Sequence, residues 1–457
     1  MASRPHPGAL TSTLQRIIEV KPEEVRATLW SCAYFFCLLA GYYILRPIRD
    51  AAGVAGGVKN LPWLFTGTML VMLLVNPPFA ALVSNLPRRR FIPLTYRFFA
   101  LNLLIFFALY QLLPQAQQVW VGRAFYIWTA VFNLFVVSIF WGFMADAFNS
   151  GQGKRLFGFI GVGGTVGSIV GSAITATLVK AVGAAGLLLV STVLLEVSVQ
   201  CVRRLSALFQ GAALPAPAAP GSVAPAASGR SEMPIGGSVL AGLTHVLRSP
   251  YLLGICLYML LYTIGSTFLY FQQADVVNRA FHDPKAQTAL FARIDLMVNV
   301  LTVGIQMFLT GRIMMLLGIA GTLTIVPVIS VLGFLSLGFV PSLALVVGFQ
   351  VLRRAGNFAV ARPSREVLYT VVAREDKFKA KSFIDTFVYR LGDQLGAWAD
   401  PLLKAAGLTM TGIALVAAPI SALWLVIGFW LGRKQAAMAV SARPELGGLA
   451  VPAPSPE

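Results

Sequence analysis

The chain has 457 residues, of which 57% are hydrophobic and only 12% charged, against about 25% charged in a soluble domain. That composition excludes a soluble globular fold and points to an all-α membrane protein of many spans. A net charge of +18 would suggest a nucleic-acid partner in a soluble chain, but here it follows from Lys and Arg gathering in loops on one side of a bilayer, so no nucleic acid is expected.

Chemistry-bearing residues are sparse. Cys32, Cys37, Cys201 and Cys256 lack metal-ligand spacing and read as small buried hydrophobes. His6, His245 and His282 are scattered. No metal, cofactor or catalytic group is therefore expected, and the polar residues 1–25 carry no signal-peptide core.

Crossing ~30 Å of hydrocarbon takes about 20 apolar residues, and twelve stretches qualify: 27–47, 61–84, 91–113, 120–147, 156–180 and 183–202 in the first half, and 250–275, 292–317, 320–340, 342–362, 382–405 and 409–432 in the second. Pro22, Glu23 and Glu24 suit a helix start before span one. That span ends GYYILRPIRDAAG, where Arg46 and Arg49 share a helix face and Asp50 adjoins them. The arginines either snorkel to headgroups or form a paired cationic site for phosphate or carboxylate; their place at the outer end runs against the positive-inside trend and favours the second reading.

Arg88, Arg89 and Arg90 separate spans two and three. Span four carries Arg123 near its outer end, Asn133 in the middle and Asp146 at its inner end, close in sequence to Lys154 and Arg155. These last three suggest either a cytoplasmic gate or salt-bridge latch or a contact with substrate. In span five, Gly163, Gly167 and Gly171 recur every four residues. The run lacks both the Gly-Lys-Ser/Thr ending and the GxGxxG spacing of phosphate loops, so close helix packing is the better reading.

Residues 204–235 are rich in Ala, Pro, Gly and Ser and form a linker, with a short interfacial helix expected at 235–248. Span seven places Thr267, Gln272, Gln273 and Asp275 among aromatics that either pack or stack on a planar ligand. Span eight holds Arg293, Asp295, Asn299 and Gln306, a polar seam or a cavity wall. In span ten, Arg353 and Arg354 point about 100° apart, so one faces a cavity and the other pairs elsewhere; Asn357 follows one turn on. Span eleven carries Asp385, Arg390 and Asp393, the last two spaced to pair. Such charges at membrane depth cost about 2.5 to 3.5 kcal/mol each on insertion scales, which favours a polar ligand.

The expected organisation is a cytoplasmic N-terminal segment (1–26), a six-helix bundle (27–203), a cytoplasmic linker (204–249), a second six-helix bundle (250–432) and a cytoplasmic tail (433–457). With both termini inside, most of the 36 Lys and Arg residues fall on the cytoplasmic side. An offset of 225 residues sets Lys154 on Lys379, Gly167 on Gly392 and Gly171 on Gly396. This suggests two related halves, the plan of major facilitator transporters.

Three motifs, ILRPIRD, FWGFMADAFNSGQGKRLFGFIGVGGTVGSIVG and RPSREVLYTVV with REDKFKAKSFIDTFVYRLGD, resemble the ATP/ADP translocase family, a branch of the major facilitator superfamily found in plastids, intracellular bacteria and free-living bacteria. The resemblance covers most of 25–432 apart from the linker. It implies a twelve-helix antiporter that exchanges ATP for ADP without hydrolysis. Arg49 stands where nucleotide exchangers usually carry lysine, which keeps an anion site and leaves the solute open between nucleotides and other phosphorylated or carboxylated molecules.

The resulting expectation is a non-enzymatic transporter in a bacterial inner membrane, moving a small organic anion, with a nucleotide first. Arg46, Arg49, Arg123, Arg354 and Arg390 would meet the anion's charge, and Asn133, Gln272 and Asn357 would supply hydrogen bonds. Asp50, Asp146, Lys154, Arg155, Asp385 and Asp393 would gate or couple. The alternatives are an ion-coupled major facilitator transporter of another solute and a non-transporting scaffold or sensor.

Overall fold

Hydrocarbon offers no water to a backbone N–H or C=O, so each spanning segment must satisfy its own polar groups. In the computed structural model the chain does this with helices, and there is no strand among the described residues, which are 20–85, 88–148, 150–211, 249–372, 380–381 and 383–441. The helices are α1 (Val25–Ala55), α2 (Leu61–Asn85), α3 (Arg88–Leu112), α4 (Gln115–Ala147), α5 (Ser150–Gly211), α6 (Pro250–Ala280), α7 (Pro284–Phe308), α8 (Thr310–Phe339), α9 (Leu343–Gly356), α10 (Arg362–Leu368), α11 (Tyr389–Ala405) and α12 (Met410–Ser441).

Ten helical stretches among the described residues are long and apolar enough to cross a membrane. Two places account for the difference from the expected twelve. The fifth and sixth expected spans are the two helical arms of α5, which meet at a kink at Gly183, whose φ of 71° suits glycine. The eleventh is split into a π-helical turn, Ile384–Val388, and the 17-residue α11. Another π turn, Asn357–Ala361, joins α9 to α10. Helix α5 runs on to Gly211, into the first residues of the stretch expected as linker. The expected interfacial helix at 235–248 lies outside the described residues.

The chain divides into two compact units. The first holds α1 to α5 together with Val277–Asn299; the second holds α6 up to Val276 and the chain from Val300 onward. In the first, Tyr34, Phe125, Phe132 and Phe140 are fully buried, and Phe35 stacks on Phe140 at 4.1 Å. In the second, Tyr258, Phe268, Phe334 and Trp424 are buried to the same degree. Lipid tails are as apolar as these side chains, so close packing rather than water exclusion holds such helices together.

Glycine supplies that closeness in the first unit. A Cβ on Gly163, Gly167 or Gly171 of α5 would come within 3 Å of the backbone of Cys32, Phe36 or Ala40 on α1. The stripe is thus a helix-packing seam, as its spacing implied. The second unit repeats the device: a Cβ on Gly392 or Gly396 of α11 would strike Thr263 or Thr267 of α6. Helices α1 and α6 are both 31 residues long and begin 225 residues apart, the same offset that relates the two glycine pairs.

Candidate functional site

The C-terminal turns of α1 gather the charges of the first unit. Arg46 Nη1 stands 3.5 Å from Asp295 Oδ1 on α7, with Arg46 about one-fifth exposed and Asp295 buried. The Tyr43 ring lies 5.8 Å from the same guanidinium. Arg46 Nε is buried and meets no hydrogen-bond acceptor among the described residues. A guanidinium carries five donors, so this one keeps spare capacity beside a single loosely held carboxylate.

Arg49 turns to its neighbour instead. Its Nη2 donates to Asp50 Oδ1 at 2.6 Å and its Nε to the same oxygen at 3.0 Å. Its guanidinium also lies 5.2 Å from the centre of the Tyr126 ring. Arg123 binds α4 to the end of α1: its Nη2 donates to the Gly56 carbonyl at 3.1 Å, and its guanidinium covers Trp120 at 4.4 Å. Asn133 is half-buried in the middle of α4.

At the other end of α1, Arg155 pairs with Glu24 at 2.9 Å, and Gln152 donates to the same carboxylate at 3.0 Å. Burial alone would push the Glu24 carboxyl up; hydrogen bonds from Arg155, Gln152 and the Lys21 backbone N–H outweigh it and hold the group below its usual value. Sequence proximity suggested Asp146 beside Lys154 and Arg155; in the structure Arg155 pairs with Glu24. Asp146 itself is exposed on α4. The side chains of Lys154 and of Arg88, Arg89 and Arg90 lie outside the described residues.

In the second unit Arg353 is the arginine that pairs inward. It is 1% exposed. Its Nε donates to Ser330 Oγ at 3.1 Å and its Nη2 to the Tyr262 carbonyl at 2.9 Å, while the rings of Tyr262 and Trp424 lie 5.1 and 5.8 Å away. Arg354 and Asn357 follow, half-buried and buried. Gln272 on α6 is 1% exposed, and neither end of its amide meets a partner among the described residues.

On α11, Arg390 and Asp393 pair at 3.6 Å as their spacing implied. Asp385 lies 3.7 Å from Arg365. Lys404 bridges Asp275 and Asp400 at 2.7 and 2.8 Å. The sequence places Asp295 in a polar seam or cavity wall and gives no site role to Glu24, Arg365 or Lys404, which stand out only as charges inside or beside apolar stretches. Among the described residues no group of three or more His, Cys, Asp or Glu could hold a metal ion.

Comparison with known proteins fits this arrangement of helices and buried cations. The family model of the TLC ATP/ADP transporters matches residues 79–437. The chain belongs to the TLC ATP/ADP transporter family. It is 22% identical over 475 residues to "ADP,ATP carrier protein 1" of Chlamydia muridarum (strain MoPn / Nigg), covering 89% of this chain and 87% of the relative. The protein of the same name from Chlamydia trachomatis serovar D is 23% identical over 476 residues, with the same coverage. Both TLC relatives are carriers rather than enzymes, and the chain is a membrane transporter.

Solved structures agree on the fold. A bacterial homologue of the iron transporter ferroportin superposes with a TM-score of 0.60 at 13% identity, covering 89% of this chain and 99% of that one. An auto-inhibited POT family peptide transporter gives 0.57 at 15%, covering 92% and 97%. The TLC chain thus has the major facilitator type of fold expected from its motifs.

Proposed function

We propose that this protein exchanges ATP for ADP across a bacterial inner membrane by alternating access. The observation that carries the reading is Arg46: a guanidinium at the end of α1 with a buried, unsatisfied Nε and one carboxylate held at 3.5 Å. Phosphate oxygens match a guanidinium fork, and charge-assisted bonds of that kind are about twice as strong as neutral ones. The names of the two chlamydial relatives support a nucleotide as the anion.

Exchange rather than one-way flow has a physical basis in the same group. A buried donor without an acceptor carries an energetic penalty, and a bound phosphate removes it. The loaded carrier then reorients more readily than the empty one.

Other roles follow by chemistry. Arg49 and Arg123 extend the cationic surface of the first unit, with Asn133 as a hydrogen-bonding group. In the second unit Arg354 and Arg390 carry charge for phosphate, and Gln272 and Asn357 supply amides. Asp50, Asp146, Lys154, Arg155, Asp385 and Asp393 gate or couple through pairs that break and re-form. Twelve spans in two bundles, 27–203 and 250–432, with both termini cytoplasmic, fit the distribution of Lys and Arg.

Ligand-induced stabilisation of the purified protein tests the reading. Binding to the folded state stabilises by about 2.7 kcal/mol at a hundredfold excess over Kd. ATP and ADP should raise the Tm and adenosine should not, and Arg46→Ala should lose the response. Equal stabilisation by adenosine, or a full response in Arg46→Ala, would count against it. A response to dicarboxylates alone would move the substrate to another organic anion.

A further inference from the structure

The second unit holds a positive charge in its interior that the proposed transport site does not use. Arg353 of α9 is 1% exposed, and it forms no ion pair with a carboxylate among the described residues. Its partners there are neutral: Ser330 Oγ at 3.1 Å, the Tyr262 carbonyl at 2.9 Å, and the rings of Tyr262 and Trp424 at 5.1 and 5.8 Å. Buried charges are as a rule paired, because an isolated one in a low-dielectric interior is costly. Carbonyl dipoles and ring faces offset part of that cost, but they bring no net negative charge.

The same place has a second donor without an acceptor. Trp424 of α12 is 1% exposed, and its indole Nε1 meets no hydrogen-bond partner among the described residues. An indole nitrogen can only donate, and a guanidinium has no acceptor to give it. Neither group satisfies the other, whereas one ion accepting from both satisfies each. The Trp424 ring centre lies 5.8 Å from the Arg353 guanidinium, a span that a single small ion can bridge. Gly265 of α6 borders the same cation. A Cβ there would stand 3.4 Å from Arg353 Nη2 and 3.9 Å from Phe334, and would meet no other neighbour within 4 Å. Glycine thereby keeps side-chain atoms off that edge of the guanidinium.

Chemistry and burial fix the class of ligand. It must be negative, must accept without needing to donate, and must fit among the four packed helices α6, α8, α9 and α12. A nucleotide is too large. Inorganic phosphate carries hydroxyl donors that would themselves need acceptors. A monatomic halide meets all three conditions.

We propose that a chloride-type monatomic anion binds inside the second unit, held between the Arg353 guanidinium and the Trp424 indole N–H. Arg46 belongs to the first unit, and the assignment does not depend on which solute the protein transports.

Thermal melts of the purified full-length protein test it, with sodium chloride replacing sodium gluconate at constant ionic strength. The Tm of wild type should rise with chloride and then saturate, as binding to the folded state requires. Trp424→Phe keeps an aromatic ring and removes the N–H, and its apparent Kd for chloride should be about tenfold weaker or more, the loss of one hydrogen bond to a charged group. Arg353→Met should lose the chloride response altogether; if it does not fold, Trp424→Phe carries the test. Equal wild-type Tm in chloride and gluconate, the result expected if a water accepts from both donors, or an undiminished response in Trp424→Phe, would overturn the proposal.

Discussion

Arg46 of α1 and Asp295 of α7 form an ion pair at 3.5 Å although 249 residues of sequence separate them. The carboxylate competes with any anion for the same guanidinium. Replacing it by an isosteric amide should release that competition. Asp295→Asn is therefore expected to bind ADP more tightly, with a lower KM and a slower exchange rate, because release becomes harder. Arg46→Ala should weaken binding about tenfold to a hundredfold, the loss of about 1.5 to 3 kcal/mol from a hydrogen bond to a charged group. Titration calorimetry on both variants checks the opposite signs.

Arg353 makes a contrasting prediction. Its two side-chain hydrogen bonds and two ring contacts are all internal to the second unit. Arg353→Met should lower stability by about 2 to 4 kcal/mol, because it removes two buried hydrogen bonds and two ring contacts. In the fraction that remains folded, KM for nucleotide should change little. A thermal melt read beside a transport assay separates these effects; a large rise in KM with an unchanged Tm would make Arg353 a binding residue instead.

The glycine seam can be tested by a pair of identical substitutions. Gly167→Ala drives a methyl into the backbone of Phe36, which cannot swing aside, and overpacking of this kind costs about 1 to 3 kcal/mol. At Gly158, on the same helix, a methyl would meet nothing within 4 Å. Gly158→Ala should be neutral or stabilising by up to about 1 kcal/mol through helix propensity. Equal Tm values for the two variants would contradict the seam.

Glu24 gives a pH dependence with a defined sign. Its carboxyl is held below the ordinary value of 4.5. A depressed folded pKa contributes stability above the unfolded value, and that contribution is lost as pH falls through the folded one. The Tm difference between wild type and Glu24→Gln should be constant near neutrality and shrink as pH drops below about 4.5. A difference that grows with acidification would reverse the assignment.

These predictions also mark what the sequence makes legible. Hydropathy integrates along the chain, so the spans, the glycine stripe and the Arg390–Asp393 pair at three-residue spacing are readable from local order alone. The split near 384–388 is not, because apolar composition continues across it, whereas the break at Gly183 falls at the expected boundary between spans five and six. Arg46 is visible as a misplaced charge, but its partner Asp295 comes from another helix, and no local pattern encodes that distance. Likewise the sequence shows that Arg353 and Arg354 diverge, while only packing against Tyr262, Ser330 and Trp424 shows which of them is tied inward.

The central claim is nucleotide exchange, and counter-transport in proteoliposomes tests it most directly. Labelled ADP would be added outside vesicles that contain unlabelled ATP, ADP, or buffer alone, with wild type and the Arg49→Ala, Arg390→Ala variant measured together. Saturable uptake that requires internal nucleotide and disappears in the variant is expected. Uptake into empty vesicles at the same rate, or none into loaded vesicles by folded wild type, would contradict it.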